Sequence, residues 1–289
     1  MLQQGVNLRK EISQDLIMNR AERRKKERKQ RKEPVQEPVQ SFNINYELFR
    51  PWADIIMQAK LPPMILDKMI EISDKIIEGE EKTSWGKNLA GQIEQEYLIP
   101  HTVLEEHKVF GFFVNMVLEY VFACHVQQAT ESYRGEIEKM KKDWRIQLKS
   151  MWIVEQQPGE YNPVHIHTDC DISSVMYLKV PKFLPSVKPE RDDDGCIYFI
   201  GDAGVTNKLK KGTVKCKPVP GDFFIFPQHM LHTVYPYETE DDFVRRSISF
   251  NASFVHVNEL TNTFSYASSA GEGEAIGPSA TDKVILGDR

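Results

Sequence analysis

Short runs of β-branched and aromatic residues, each closed by a turn signal, fill the stretch from residue 152 to residue 255 and constrain the fold most. Runs of about four to eight such residues, bounded by Gly, Pro, Asn, Asp or Ser, predict strands. About eight strands are predicted in this way: Trp152–Gln156, Val164–His167, Val175–Val180, Cys196–Ile200, Gly212–Lys217, Phe223–Phe226, His232–Tyr235 and Arg245–Val255. Their count and spacing predict a double-stranded β-helix, a cupin-like jelly roll whose two sheets enclose a pocket.

Two histidines and an aspartate alternate along the second of these runs. His165, His167 and Asp169 are each two residues apart, so in an extended strand their side chains share one face. Two neighbours on one face can hold one metal ion, and His232, which follows the strand Phe223–Phe226, is the candidate for a distant third ligand. An i, i+2 pair with one distant histidine suits a facial triad with open coordination positions, as in non-haem Fe(II) sites.

An arginine follows the distant histidine by thirteen positions. Arg245 and Ser247 lie two residues apart on the last predicted strand and therefore share a face. A buried arginine on that face can hold a carboxylate through two parallel charge-assisted hydrogen bonds. The pattern therefore indicates a carboxylate-binding arginine near the candidate metal site.

Four segments of this region, in this order, resemble the 2-oxoglutarate and Fe(II)-dependent oxygenases. They are YNPVHIHTD from Tyr161, SSVMYLKVP from Ser173, PGDFFIFP from Pro220 and RRSISFN from Arg245. More narrowly, they resemble a prolyl 4-hydroxylase-like branch of these enzymes that is common in tailed phages and marine bacteria. The resemblance covers roughly Trp152 to Phe254, about a third of the chain.

The chain departs from the pattern of that branch at two places. Ser174 stands where the branch has glycine, and Arg245 and Arg246 stand where it has one arginine followed by an apolar residue. The register set by Ser247 assigns the arginine of the family to Arg245. Arg246 is then expected on the opposite face of the strand.

The resemblance leaves one metal ligand open. The His-x-Asp pattern of the superfamily fits His167 and Asp169, whereas the His-x-His pattern of the narrower branch fits His165 and His167. In both assignments His167 and His232 are ligands, and His165 and Asp169 compete for the remaining place.

The resemblance also implies an activity. It implies a hydroxylase that uses Fe(II), O2 and 2-oxoglutarate, with ascorbate as an optional reductant, and that converts 2-oxoglutarate to succinate and CO2. Arg245 and Ser247 would hold the distal carboxylate of 2-oxoglutarate, and Tyr177 would hydrogen-bond this cosubstrate. The substrate is left open among a prolyl residue of a protein, a nucleic acid and a small molecule. The alternatives are a non-catalytic β-sandwich that serves as a binding or virion component, and a cupin-like metalloenzyme without 2-oxoglutarate.

The rest of the chain is expected to surround a core at residues 151–257. Residues 1–40 predict a flexible arm, because nine Lys or Arg lie between Arg20 and Lys32 and a Pro-containing linker follows. This basic arm is a candidate for contact with an acidic partner, nucleic acid included. Residues 41–150 are predicted to be a mostly helical support region, with helices around Ile65–Ile77, Val109–Thr130 and Ser132–Leu148. Between the first two helices, the segment TSWGKNLAGQIEQEYLIP is predicted to be a loop because of Gly86 and Gly91. Residues 258–289 are expected to form a flexible tail.

Composition indicates a protein that is not embedded in a membrane. The first twenty residues are polar and lack the apolar core of a secretory signal. The most apolar stretch, Val109–Val126, contains Asn115 and Glu119, which favours a buried helix over a membrane span. The four cysteines show no paired spacing. We therefore expect a reducing cytoplasm, that of a bacterial host if the gene belongs to a phage.

Overall fold

The fold is described from a computed structural model of the chain. It describes residues 44–49, 54–128, 135–137, 139, 141–185, 187–188, 190–201, 212–240, 243–256 and 284–285. The predictions for the basic arm at 1–40, and for the tail at 258–289 apart from residues 284–285, lie outside these residues.

Strands dominate the described part of the chain. They are β1 (Tyr46–Phe49), β2 (Ile56–Lys60), β3 (Gln95–Leu98), β4 (Trp144–Gln156), β5 (Asn162–His165), β6 (Ile172–Lys179), β7 (Ile197–Ile200), β8 (Thr213–Cys216), β9 (Asp222–Pro227), β10 (Leu231–Val234), β11 (Arg245–His256) and β12 (Val284–Ile285). The helices are α1 (Pro63–Glu78), α2 (His101–Glu106) and α3 (Phe110–Gln128), with 3-10 turns at Gly86–Asn88 and Lys141–Asp143.

The strands form two antiparallel sheets with a cavity between them. The larger sheet has 8 strands in the order β1-β2-β9-β6-β11-β4-β12, with β3 paired to β4 on the side. The smaller sheet has 4 strands in the order β5-β10-β7-β8. This is the double-stranded β-helix that the strand count predicts, and each of the predicted strands is present.

One predicted helix is partly wrong. The segment up to Leu148 was expected to be helical, but Trp144–Leu148 is the first part of β4. Trp144, Ile146 and Leu148 are buried while the residues between them are partly exposed, which is the two-residue period of a strand. These five residues pair with β11, and this pairing over a long sequence separation outweighs the helix propensity of Arg145 and Gln147.

The support region contains more strand than the sequence predicts. β1 and β2 extend the larger sheet beyond β9, and β3 pairs with β4 inside a stretch that was expected to be a loop. Each is at most five residues long, so its propensity signal is weak and its stability comes from pairing with distant strands. The predicted helices at α1 and α3 are confirmed.

α3 packs as a core helix, as predicted. Over Phe110–Gln127 it is long and apolar enough to cross a membrane by length and composition alone, but half of that window is buried inside the protein. The Phe113 ring makes edge contacts with Phe223 of β9 and Phe250 of β11, at centroid distances of 6.2 and 5.8 Å. No disulfide joins the four cysteines, all of which are among the described residues.

An ion-pair network fixes α1 to the outer face of the larger sheet. Arg246 of β11 donates from Nε to Glu155 at 2.5 Å and from Nη1 to Asp74 of α1. Lys179 donates to the same Asp74 carboxylate at 2.7 Å. Arg246 therefore lies on the face opposite Arg245, as the register predicts.

Candidate active site

A cavity of about 600 Å³ lies between the two sheets. Its walls come from inward-facing positions on several strands, since cross-strand partners point to the same face. Ser247, for example, is paired with Val154 of β4 on one side and with Tyr177 of β6 on the other. The lining includes Trp152 and Val154, Val175 and Tyr177, Phe226, Arg245, Ser247 and Ser249 from the larger sheet, and His165, Ile197, His232 and Val234 from the smaller one.

Three histidines meet on one wall of this cavity. One ring nitrogen from each of His165, His167 and His232 lies within 4.8 Å of the other two. His165 and His232 are opposite each other on β5 and β10, which fixes their separation. His167 lies just past the end of β5, where its backbone N–H donates to the Gln228 carbonyl at 3.0 Å, and its Nε2 is 3.3 Å from Nε2 of His232.

Backbone carbonyls orient two of these rings. His165 Nδ1 lies 2.7 Å from the Pro163 carbonyl oxygen, and His232 Nδ1 lies 2.8 Å from that of Met230. A carbonyl can only accept, so each Nδ1 carries the proton and each Nε2 keeps its lone pair for a metal. Burial lowers the pKa of the His167 imidazole to about 4 and that of His232 well below its ordinary value. The rings are therefore neutral near pH 7, as metal ligands must be.

Asp169 lies apart from this cluster. β5 ends at His165, and Asp169 adopts a left-handed φ of 58° beyond it, so the extended run with one shared face does not reach this residue. Its side chain is exposed and lines the rim of the cavity. The structure thus brings His165, and not Asp169, together with His167 and His232.

Arg245 is a buried cation without an anionic partner in the described part of the chain. Its side chain is 1% exposed, and it donates from Nη1 to the Gly195 carbonyl at 2.8 Å and from Nη2 to Oε1 of Gln156. Its backbone N–H donates to the Tyr237 hydroxyl at 2.9 Å. Among the described residues, no carboxylate lies within ion-pair distance of the guanidinium, and its Nε has no hydrogen-bond partner. Five N–H groups are thus held rigidly, and a site for an anion is left beside them.

Tyr177 supplies a second unused donor. The residue is fully buried, its Oη has no hydrogen-bond partner among the described residues, and its ring centre is 5.5 Å from the guanidinium carbon of Arg245. Burial raises the pKa of this phenol, so the hydroxyl remains protonated. Ser247, opposite Tyr177, is also buried and lines the cavity. Unsatisfied buried donors next to a cation fit the carboxylate of a ligand.

Sequence reasoning missed the residues that hold this arginine. Gln156 lies directly opposite Arg245 on β4, and the Tyr237 hydroxyl both donates to the Gln156 carbonyl at 2.6 Å and accepts from the Arg245 backbone. Gln156 closes a predicted strand, but its role depends on the strand pairing. Tyr237 lies in a loop, where no local pattern signals a contact with residue 245. Glu96, which also lines the cavity, lies in a segment that was expected to be a loop.

Residues 150–251 match the family described as "Putative 2OG-Fe(II) oxygenase". Similar solved structures include a Pseudomonas putida prolyl-4-hydroxylase (16% identity, 68% of this chain and 91% of that chain, TM-score 0.39). Others are an oxidoreductase of the 2OG-Fe(II) oxygenase family from Burkholderia pseudomallei (12%, 68% and 85%, TM-score 0.38) and a Trichoplax adhaerens prolyl hydroxylase in complex with a hypoxia inducible factor peptide fragment (11%, 75% and 86%, TM-score 0.42). A comparison with curated proteins finds no match.

The segment that matches the family contains all three clustered histidines and Arg245. Residues 150–251 therefore carry the sequence pattern of a 2-oxoglutarate/Fe(II)-dependent oxygenase domain. Fe(II), 2-oxoglutarate and O2 are the cofactors and cosubstrates that the class uses.

Proposed function

We propose that this oxygenase is a hydroxylase in which His165, His167 and His232 hold Fe(II) and Arg245 receives the distal carboxylate of 2-oxoglutarate. The observation that carries the proposal is the buried Arg245 guanidinium, which has no carboxylate partner among the described residues. An uncompensated buried charge costs several kcal/mol, on the order of 3–5. A dicarboxylate that enters the cavity would remove this cost.

The histidine cluster fits a transition metal by its chemistry. Three neutral imidazoles suit iron, and three ligands leave positions for other groups. The Nδ1 hydrogen bonds to Pro163 and Met230 keep the rings of His165 and His232 turned toward the shared centre. When bound, Fe(II) with 2-oxoglutarate and O2 supplies the oxidising power for hydroxylation, and 2-oxoglutarate is converted to succinate and CO2.

The arginine end of the cavity positions the cosubstrate. Gly195 and Gln156 hold the guanidinium in one orientation, so little side-chain entropy is lost when a carboxylate binds. Tyr177 donates its free O–H to the same carboxylate, and Ser247 lies within the same wall. Arg245, Tyr177 and Ser247 bind and orient the cosubstrate and take no part in proton transfer.

Apolar side chains form the rest of this end of the cavity. Val175, Phe226, Ile197 and Val234 line the same cavity as the histidines and the arginine. They limit the access of water, which strengthens the electrostatic interaction between Arg245 and a bound carboxylate.

Turnover of 2-oxoglutarate tests the proposal. Succinate release is measured with anaerobically Fe(II)-loaded protein after addition of 2-oxoglutarate and O2, for wild type, His232→Ala and Arg245→Ala. We expect no turnover from His232→Ala, and recovery of Arg245→Ala only at a 2-oxoglutarate concentration on the order of a hundredfold higher, since one partner of a buried charge pair is lost. His229→Ala is the matched control, because His229 is exposed and lies three residues before His232.

Two results would contradict the proposal. Wild type that binds Fe(II) but neither binds nor consumes 2-oxoglutarate would indicate a cupin-like metalloenzyme. Wild type that binds neither would indicate a non-catalytic binding or virion component. The substrate stays a separate prediction: a prolyl residue of a protein, a nucleic acid or a small molecule.

A further inference from the structure

Glu96 is a buried carboxyl group that the proposed chemistry does not use. It lies on β3 opposite Val154 of β4, is 2% exposed, and lines the same cavity as the histidines and Arg245. Its Oε2 has no hydrogen-bond partner among the described residues. Buried carboxylates are rare unless they are paired, so an unpartnered one in a cavity wall points to a ligand.

Two glycines allow the chain to close over this carboxyl group. A Cβ at Gly86 would lie 3.2 Å from Oε2 of Glu96. A Cβ at Gly91 would lie 3.5 Å from Oε1 and only 2.5 Å from Oδ1 of Asn162, which also lines the cavity. The segment from residue 86 to residue 91 therefore forms a close cover over Glu96 that any larger side chain would disturb.

No cation among the described residues offsets the charge of Glu96. Among the described residues, no Lys, Arg or His lies within ion-pair distance of it. Lys149, Asp169 and Arg245 are the other charged residues in the cavity lining, and Arg245 is assigned to the cosubstrate. Burial, together with the smaller effect of the nearby Glu160 carboxylate, raises the pKa of the Glu96 carboxyl to about 7. A positively charged group that binds beside Glu96 would therefore stabilise its carboxylate.

Two tryptophans line the same cavity as Glu96. Trp152 and Val154, the latter paired with Glu96, form an apolar cluster with Ile93, and Trp85 and Leu89 pack against it. Trp85 and Trp152 both line the cavity, and the Trp152 ring centre is 6.1 Å from that of His167. A carboxylate combined with tryptophan faces is the arrangement that binds organic cations through an ion pair and cation–π contacts.

We propose that Glu96, with Trp85 and Trp152, forms a subsite for a protonated amine or guanidinium group of the substrate. The substrate is then a molecule, a peptide included, that presents a basic group near the carbon to be hydroxylated. This inference rests on the proposed function for its place in the reaction, because the subsite shares its cavity with the histidine cluster.

Small cations probe the subsite directly. Isothermal titration calorimetry compares n-butylguanidinium and n-butylammonium with the neutral n-butylurea, added at millimolar concentration to anaerobic Fe(II)-loaded protein with 2-oxoglutarate. We expect wild type to bind at least one of the cations about tenfold or more tightly than the urea, since one charge-assisted contact has at least that effect. Glu96→Gln should lose this preference, and Glu96→Asp should keep part of it.

Glu94→Gln is the matched control. Glu94 is exposed, lies two residues before Glu96, and its substitution makes the same change in net charge. It should bind the cations like wild type. Equal binding of cation and urea by wild type, no cation binding at all, or an unchanged preference in Glu96→Gln would each overturn the proposal. Cation binding and succinate release are separate readouts, so a failure of the subsite is distinguishable from a failure of the oxygenase assignment.

Discussion

Replacing Arg245 by methionine removes a buried charge while keeping an apolar side chain of similar length. Because the guanidinium is 1% exposed and has no anionic partner among the described residues, its removal relieves an electrostatic cost. Apolar replacement of a buried ion pair is neutral or stabilising by about 1–4 kcal/mol, and we expect a similar gain from replacing this unpaired charge. The change also leaves the Gly195 carbonyl and Gln156 Oε1 without their hydrogen-bond donor, and each such buried acceptor lowers the unfolding free energy by about 1–3 kcal/mol. The two effects offset each other, so we expect the unfolding free energy to change by less than about 2 kcal/mol.

Wild type and Arg245→Met should differ in how much 2-oxoglutarate raises their Tm. A ligand at about a hundred times its Kd stabilises the folded state by about 2.7 kcal/mol. For a domain of this size, each kcal/mol shifts Tm by about 2–4 °C, so 2-oxoglutarate should raise the Tm of wild type by about 5–10 °C. Under the same conditions Arg245→Met should show little or no increase.

Thermal denaturation followed by circular dichroism, on anaerobic Fe(II)-loaded protein with and without 2-oxoglutarate, measures both quantities. Arg245→Lys is the control, because it keeps the charge but loses the forked donor geometry. An Arg245→Met protein that gains as much Tm from 2-oxoglutarate as wild type would refute the assignment of the arginine. The unpaired charge would not be costly if Arg245→Met lost far more unfolding free energy than the two lost hydrogen bonds account for.

Three further predictions concern separate parts of the molecule. His165→Ala should lose Fe(II), whereas Asp169→Asn should retain it, as measured by metal analysis after desalting; the reverse result would assign the third ligand to Asp169. Arg246→Met should lower the unfolding free energy by about 3–5 kcal/mol because it leaves Glu155 buried without its partner, yet leave 2-oxoglutarate affinity unchanged. The folded-state pKa of Glu96, about 7, lies above its ordinary value of 4.5, so wild type loses stability as pH rises through this window. The Tm advantage of Glu96→Gln over wild type should therefore grow from pH 5 to pH 8, and an advantage independent of pH would contradict the burial of an unpaired carboxyl group.

The strands that carry the site could be predicted from the sequence because their apolar residues alternate or run continuously over short stretches that end at turn residues. The PGDFFIFP segment and the RRSISFN segment are examples, and both are strands in the structure. The His-x-His pair could be found because its spacing is local. Which of His165 and Asp169 lies beside His167 and His232 could not be predicted, because it depends on where β5 ends and the backbone turns.

Contacts between distant segments could not be predicted from local sequence patterns. Glu96 lies in a segment whose glycines predict a loop, and only its pairing with Val154 brings it into the cavity. The helix predicted up to Leu148 failed because charged residues on the exposed face of β4 masked its two-residue period. In both cases the deciding free energy comes from pairing with another part of the chain, which local propensity does not report.

The most direct test of the central claim is a calorimetric titration of 2-oxoglutarate into anaerobic Fe(II)-loaded protein. We expect wild type to bind one 2-oxoglutarate per bound Fe(II) and His232→Ala to bind no Fe(II). Arg245→Met should bind Fe(II) fully, with its affinity for 2-oxoglutarate reduced on the order of a hundredfold. Wild type that binds Fe(II) without 2-oxoglutarate, or an Arg245→Met protein that binds both as wild type does, would contradict it.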